Sequence, residues 1–238
     1  MHRFLIALAI AIATVPGARA AHPLITEDTG TQGQGRWQLE AFGEEGRERV
    51  SGARLEQYGA VLSYGLAETA DLQFGLPWLR QAGSGVGDAS VDLKWRFFKK
   101  DFLSLGLKPR ITLPTGDEGA GRGTGRLTWG TLFILSYEPG PLALQAHAGY
   151  RRNRNKLGER ESLNQLAGAA TYRFGDVRLV GELARETNPD PAGSTARTAT
   201  MGAIWSLTRD FDLDIGWRSG RGGAALDDIF LLGATWRW

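Results

Sequence analysis

Apolar and polar residues alternate with a period of two along most of the chain beyond residue 35. Successive side chains of a β-strand point to opposite faces, so this alternation predicts strands with one apolar face and one polar face. The clearest stretch alternates four apolar side chains with three charged ones, in the order Val91, Asp92, Leu93, Lys94, Trp95, Arg96, Phe97. The pattern predicts twelve strands, at residues 36–42, 55–65, 71–78, 90–98, 103–113, 128–137, 142–151, 165–174, 177–186, 198–207, 211–218 and 228–238.

The connections between the predicted strands alternate in length. Short turns such as residues 175–176 alternate with longer, Gly-rich and charged loops such as residues 115–126. Short turns on one side and longer loops on the other are typical of barrels that cross the bacterial outer membrane. A soluble sandwich would not keep the outer face of nearly every strand apolar, because such a face promotes aggregation in water. We therefore predict an all-β fold, a transmembrane antiparallel up-and-down β-barrel of about 12 strands over residues 36–238.

Aromatic residues of the outer face lie near both ends of the predicted strands. Trp129 and Trp217 are expected at the loop-side rim, and Trp205 and Trp236 at the turn-side rim. Two such girdles mark the two interfaces between membrane and water. Hydrocarbon is expected to contact the side chains between them, among which are Phe74, Leu93, Leu213 and Leu232. The outer membrane is therefore the expected location, and its lipids are the first expected partner.

The first 20 residues have the features of a secretory signal peptide. Arg3 gives a positive start, residues 4–15 are apolar, and Ala18-Arg19-Ala20 matches the A-x-A cleavage pattern. This apolar run is shorter than the ~20 residues of a transmembrane helix. We expect cleavage after Ala20, which leaves residues 21–35 ahead of the barrel. Two positions stay open for this segment: it folds into the lumen as a plug, or it hangs in the periplasm.

The last predicted strand ends on Trp238. A final strand that ends in an aromatic residue resembles the C-terminal signature of bacterial outer-membrane proteins, which their assembly machinery reads. The barrel assembly machinery is therefore a second expected partner.

The composition removes several other classes of protein. The 238 residues include no cysteine, which excludes a small disulfide scaffold. A formal net charge of +2 without any basic run gives no argument for a nucleic-acid partner. The 33 glycines are about twice the average share and suit a barrel with interfacial aromatics better than a helical domain.

Four stretches of the sequence, taken in order, resemble a known family. They are His22–Gly33, Gly87–Asp88, Lys108–Asp117 and Gly149–Asn153. Their order and spacing look like those of the outer-membrane proteins grouped as the meta-pathway phenol-degradation family, over essentially the whole mature chain. The resemblance implies a barrel and a role in passing aromatic or other poorly permeant compounds. It implies no catalytic residue that can be mapped here.

Charged and polar side chains on the inward face are candidates for lining a pore. They are Asp92, Lys94, Arg96, Lys108, Arg110, His147, Glu182, Asp212, Asp214 and Arg237. Charges inside a barrel must be paired or hydrated, so these residues also suit a salt-bridge network that closes the lumen. Inward glycines such as Gly202 and Gly216 favour an open path, although twelve strands enclose only modestly more space than the eight that side chains can fill. We expect a channel for a small-molecule solute, with a structural or adhesive barrel acting through its loops as the alternative.

The predicted fourth and fifth strands form a hairpin whose register can be predicted. A three-residue turn would place Asp92 opposite Lys108 and leave Lys94 and Arg110 without an acid in the hairpin. Such an excess of positive charge concentrates anions, so we expect weak anion selectivity. If acids such as those of the Glu27–Asp28 stretch neutralise both cations, the patch is structural and the pore is plugged there.

A lipid hydrolase is the less favoured alternative. Barrels of that kind use a His and a Ser, and the predicted register places His147 opposite Leu132 and Ser136 opposite Ala143. The two side chains would then lie roughly 13 Å apart, far beyond hydrogen-bond reach. The sequence has no G-x-S-x-G motif. We expect no enzyme, no cofactor and no metal, since His22 by itself does not make a metal site.

Overall fold

The computed structural model describes residues 22–47, 54–81, 83–222 and 228–238. These residues form thirteen β-strands. Within the same ranges, no helix has the length and apolar character needed to cross a membrane. The expected signal peptide, residues 1–20, lies outside the described residues.

The thirteen strands include twelve that correspond to the predicted segments, and the short Gly83–Val86 is an additional strand that was not predicted. In chain order they are β1 (Trp37–Arg47), β2 (Arg54–Ala67), β3 (Ala70–Gln81), β4 (Gly83–Val86), β5 (Ser90–Lys100), β6 (Leu103–Thr112), β7 (Thr128–Tyr137), β8 (Leu142–Arg152), β9 (Ser162–Phe174), β10 (Val177–Glu186), β11 (Ala196–Ser206), β12 (Phe211–Arg221) and β13 (Asp228–Arg237).

Twelve of these strands close into an antiparallel barrel, which confirms the predicted fold. Neighbours in the ring follow chain order, and β13 pairs with β1 to complete it. At this seam the amide of Trp37 donates to the carbonyl of Trp238 at 3.0 Å, and the amide of Trp238 donates back at 3.1 Å. The short β4 pairs only with the end of β3, while β5 pairs with the first half of β3.

The two faces of the strands differ as a membrane barrel requires. In β12, Asp212 and Asp214 are buried on the inner face. Their neighbours on the outer face are exposed, by 37% for Leu213 and by 61% for Ile215. The same alternation places all four predicted hydrocarbon-facing side chains on the outer surface, at exposures of 45% for Phe74, 39% for Leu93, 37% for Leu213 and 63% for Leu232. A face of this kind suits lipid and not water.

The β5–β6 hairpin has a tighter turn than predicted. Its turn contains only Asp101 and Phe102, and Asp101 adopts a φ of 50°, in the left-handed region that tight turns use. Together with a one-residue bulge between Arg96 and Phe98, this turn places Asp92 opposite Arg110, so the prediction that Asp92 lies opposite Lys108 is wrong. Lys108 still contacts this acid, since its Nζ lies 3.5 Å from Oδ2 of Asp92.

The bulge of this hairpin lies in β5 and not at the proline of β6. The pairing shifts by one residue between Arg96 and Phe98. Pro109 stays in register with Thr131 of β7. Proline has no N–H to donate, so it interrupts the ladder towards β5 without changing the register.

Candidate functional site

Residues 22–35, hereafter the N-terminal segment, lie inside the barrel. Near the short-turn end of β3, the amide of Gln32 donates to the carboxylate of Asp71 at 3.1 Å. From there the segment crosses the lumen to β12, where the ring of His22 bonds to the carboxylate of Asp214. Three side chains in its middle are almost completely buried, at 2% exposure for Thr26 and 4% for Asp28 and Thr29. Of the two positions that the sequence leaves open, the described part of the segment takes the one in the lumen.

Lys94 of β5 and Lys108 of β6, hereafter the lysine pair, hold the acidic part of the segment. One carboxylate oxygen of Glu27 lies 3.3 Å from Nζ of Lys94, and the other accepts a hydrogen bond from Nζ of Lys108. Lys94 also donates to Oδ1 of Asp28 at 3.0 Å. Burial by itself would raise the pKa of Glu27, but the two ammonium groups outweigh burial and hold this pKa below its usual range.

Arg110 and Asp92 form a second ion pair beside the lysine pair. The guanidinium donates through Nε at 2.7 Å and through Nη2 at 2.6 Å to the two carboxylate oxygens. Bidentate pairs of this kind are stronger than single hydrogen bonds. The prediction that Arg110 lacks an acid in the hairpin is therefore wrong, since Asp92 faces it. Lys94 does find its acids outside the hairpin, in the Glu27–Asp28 stretch that the sequence offered as the alternative.

Glu182 of β10 holds the segment from the other side of the lumen. Its Oε2 accepts from both the amide and the hydroxyl of Thr26 at 2.6 Å, and its Oε1 accepts from the hydroxyl of Thr200 at 3.1 Å. All three residues are buried, with exposures of 4% or less. The segment is thus held by hydrogen bonds on this wall and by ion pairs on the opposite one.

The pair Asp212 and Arg237 lies next to the seam of the barrel. Oδ2 of Asp212 accepts from Arg178 at 2.6 Å and from Arg237 at 3.0 Å. Nε of Arg237 in turn donates to Oε1 of Gln38 at 2.9 Å, which joins β13 to β1 across the seam. These side chains connect β10, β12, β13 and β1 and contact the wall more than the segment, so their arrangement suits a structural role.

Glycines of three neighbouring strands make room for the start of the segment. A Cβ atom would lie 2.9 Å from Pro23 at Gly202, 2.8 Å from Pro23 at Gly216, and 2.6 Å from Nδ1 of His22 at Gly233. Distances this short are essentially never found for real Cβ atoms. The space that the sequence suggested as an open path is therefore filled here by the segment.

His147 and Ser136 both bind the backbone of the segment. Nδ1 of His147 accepts from the amide of Glu27 at 3.1 Å, and Oγ of Ser136 accepts from the amide of Thr29 at 3.1 Å. In the actual register, His147 lies opposite Ile134 and Ser136 opposite Gln145, so the two residues are closer along the strands than predicted. Their hydrogen bonds give them a role in positioning the segment.

The structure brings all ten predicted site residues to the segment or to the ion pairs next to it. Arg96 reaches the segment through Nη1, which donates to the carbonyl of Thr29 at 3.5 Å, while its Nη2 donates to the carbonyl of Glu68 at 2.9 Å in the β2–β3 turn. Sequence reasoning did not place Thr26 or Thr29 in the site. The segment has no alternation from which the facing of its side chains could be read. Among the described residues, no three His, Asp or Glu side chains are arranged as ligands for a metal ion.

A cavity of about 160 Å³, hereafter the vestibule, lies on the loop side of the segment. It is bounded by the loop-side halves of β6 to β10. Lys108 lines it as well as holding Glu27, so the vestibule ends at the ion pair that fixes the segment. Solute arriving from the loop side would meet the vestibule first.

The barrel agrees with what comparison with known proteins gives. The model of a protein family described as "Putative MetA-pathway of phenol degradation" matches residues 22–238. The chain belongs to this family. The family match includes the N-terminal segment as well as every strand of the barrel. No curated protein matches the sequence.

Solved structures share the fold at low sequence identity. The COG4313 outer membrane channel from Pseudomonas putida F1 is 17% identical, with a TM-score of 0.64 over 89% of this chain and 98% of that one. The KdgM porin is 11% identical, with a TM-score of 0.62 over 84% and 98%. The β-domain of the Bordetella autotransporter BrkA is 15% identical, with a TM-score of 0.52 over 86% and 100%. The fold is thus that of outer-membrane barrels, channels among them.

Proposed function

We propose that this protein is an outer-membrane channel for small, aromatic or hydrophobic compounds, which the N-terminal segment closes in the state described here. The observation that carries the proposal is the course of the segment, which crosses the lumen from Asp71 to Asp214. The lipids of the outer membrane and the barrel assembly machinery are its proposed partners, the latter through β13.

The contacts of the segment are of a kind that can be exchanged. Its side chains and amides bind the wall through hydrogen bonds and ion pairs, to residues such as Glu182, Ser136 and Lys108. A hydrogen bond of this type contributes a net ~0.5–1.5 kcal/mol, because water replaces the lost partner. Withdrawal of the segment would admit water to the lumen, and this water would hydrogen-bond to the polar groups that the segment leaves. Withdrawal would also clear the path between the two ends of the barrel.

The chemistry of the solute is supported by two features. The family description names phenol degradation, which concerns small aromatic compounds. The lumen wall mixes charged groups with glycines and apolar side chains such as Leu132 and Leu163, which suits a small ring that carries a polar group. A purely polar wall would favour ions and sugars.

Electrical recording of the purified protein in a planar bilayer tests the proposal. A variant that lacks residues 22–31 should give larger and more continuous currents than the full mature chain. Vesicles that contain this variant should also take up phenol and benzoate faster than vesicles that contain the full mature chain. A barrel that passes neither current nor solute, with or without the segment, would instead be structural or adhesive.

A further inference from the structure

The vestibule carries charges that the segment does not use. Arg110 of β6 lies directly opposite Gly130 of β7, and Gly130 lies directly opposite Arg151 of β8. Residues that face each other in a sheet point to the same side, so both arginines reach into the lumen with only a glycine between them. Two strand spacings separate their backbones, which is roughly 10 Å.

The two arginines differ in their pairing. Arg110 is held by Asp92, although its side chain is 45% exposed to the vestibule. Arg151 is exposed and makes no ion pair with any acid in the part of the chain that the structure describes. Glu186 is an acid that also lines the vestibule. It lies on β10, directly opposite Gln165 of β9, in the row of paired residues next to the one that contains Arg151. Arg151 is therefore free to bind an anion.

The floor next to the arginines has an apolar centre between two polar ends. The row beside Arg110 and Arg151 reads Lys108, Leu132, Gly149 and Gln165, each opposite the next. The glycine at position 149 makes room for the side chain of Leu132, since a Cβ there would lie 2.5 Å from Cδ2 of Leu132, and Leu163, opposite Arg151, is 2% exposed. A cavity of about 150 Å³ is enough to hold benzene, and the vestibule has about 160 Å³.

We propose that the vestibule is a binding site for a small aromatic monocarboxylate. The carboxylate would accept charge-assisted hydrogen bonds from Arg151, and the ring would lie against the side chain of Leu132. Arg110 contributes positive potential from the other side. The inference rests on the proposed function, since it names the solute class that the channel would meet at its loop-side mouth.

Equilibrium binding to the purified full mature chain tests this site without the need for transport. Titration calorimetry with benzoate should give a saturable signal, and benzamide, which has the same shape but no charge, should bind about tenfold more weakly or not at all. The variant Arg151→Gln should weaken benzoate binding by about the same factor. Arg152→Gln is the matched control, since this neighbour points outward and pairs with Glu161, and it should leave benzoate binding unchanged.

Equal binding of benzoate and benzamide to the wild-type protein would overturn the inference, and this comparison holds even if Arg151→Gln does not fold. Absence of any benzoate binding, or binding unaffected by Arg151→Gln, would also overturn it. A channel that conducts but does not bind benzoate contradicts only this site. A protein that binds benzoate but never conducts contradicts the proposed function and leaves the site standing.

Discussion

The carboxylate of Glu27 accepts a hydrogen bond from the ammonium group of Lys108, 81 residues away along the chain. The register of the β5–β6 ladder on both sides of Pro109 places Lys94 opposite Lys108. Two like charges in this position repel each other. Glu27 bridges both ammonium groups, so it stabilises the wall and the docked segment at the same time.

Neutralising Glu27 should release the segment and open the lumen. Glu27→Gln removes the charge that docks the segment on the lysine pair, and a hydrogen bond to a charged group contributes about 1.5–3 kcal/mol. The fraction of time in the open state, recorded from single channels, should therefore rise by about tenfold or more. Glu45→Gln is the control, since Glu45 is exposed. Identical closed times in Glu27→Gln and wild type would show that this contact does not close the lumen.

Gly202, Gly216 and Gly233 together make room for the start of the segment, and a side chain added at Gly216 should release it. A Cβ at Gly216 would lie 2.8 Å from Pro23, and overpacking of this kind costs about 1–3 kcal/mol. The chain has no cysteine, so Ile25→Cys gives a unique label site on the segment. In this background, Gly216→Ala should speed maleimide labelling by roughly 5–150-fold.

The control for this experiment is Gly181→Ala on β10. A Cβ at Gly181 would meet no atom within 4 Å, so it adds a methyl group without disturbing the segment. Its labelling rate should match that of Ile25→Cys alone. Equal labelling rates for Gly181→Ala and Gly216→Ala would mean that the space above Gly216 does not hold the segment.

Removing the charge of Asp212 should destabilise the barrel. This carboxylate is 3% exposed and accepts from Arg178 and Arg237, so Asp212→Asn takes one anion away from two buried cations. Breaking a buried pair in this way costs about 3–5 kcal/mol. Denaturant unfolding in lipid vesicles measures the loss of unfolding free energy. The exposed pair of Glu161 and Arg152 gives the comparison, and Glu161→Gln should cost only ~0–1 kcal/mol. A similar cost for both variants would contradict the structural role of Asp212.

A charge on the outer face should be costly in the middle of a strand. Leu232 is 63% exposed on the outer face near the centre of β13. Leu232→Arg should reduce the free energy of unfolding in lipid vesicles by about 2–4 kcal/mol, while Leu232→Met should change it little. If the arginine variant were as stable as the methionine variant, this face would not contact hydrocarbon.

Much of the barrel could be predicted because its wall separates two very different environments. Lipid outside and polar groups inside impose a strict alternation, so the limits of β7 and β10 agree with their predicted segments to the residue. The strand β4 has no such signal, because Gly83–Val86 is only four residues long and contains two glycines. Strands such as β12, which ends at Arg221, also extend further into the loops than the apolar pattern reaches.

The candidate site was harder to predict for two physical reasons. Alternation tells which side a residue faces but not its partner, and the turn and the bulge in β5 together place Arg110 instead of Lys108 opposite Asp92. The segment that crosses the lumen forms no strand, so nothing in its sequence fixes where Thr26 or Glu27 would bind. Only the excess of lysines on β5 and β6 suggested that acids had to come from elsewhere.

The short link between the segment and the barrel has a consequence for competition. Gly35 is anchored to β2 by its amide, which donates to the carbonyl of Gly65 at 2.8 Å, so the segment cannot diffuse away when it undocks. A tether of this kind gives a bound group an effective concentration on the order of millimolar. We expect a free peptide of the same sequence to block a barrel that lacks residues 22–31 only near that concentration, and complete block at micromolar peptide would contradict this. Under the proposed channel function, a solute that binds Lys108 no more tightly than Glu27 does would have to approach the effective concentration of the tethered segment before it held the lumen open, so the tether would set a supply threshold for passage.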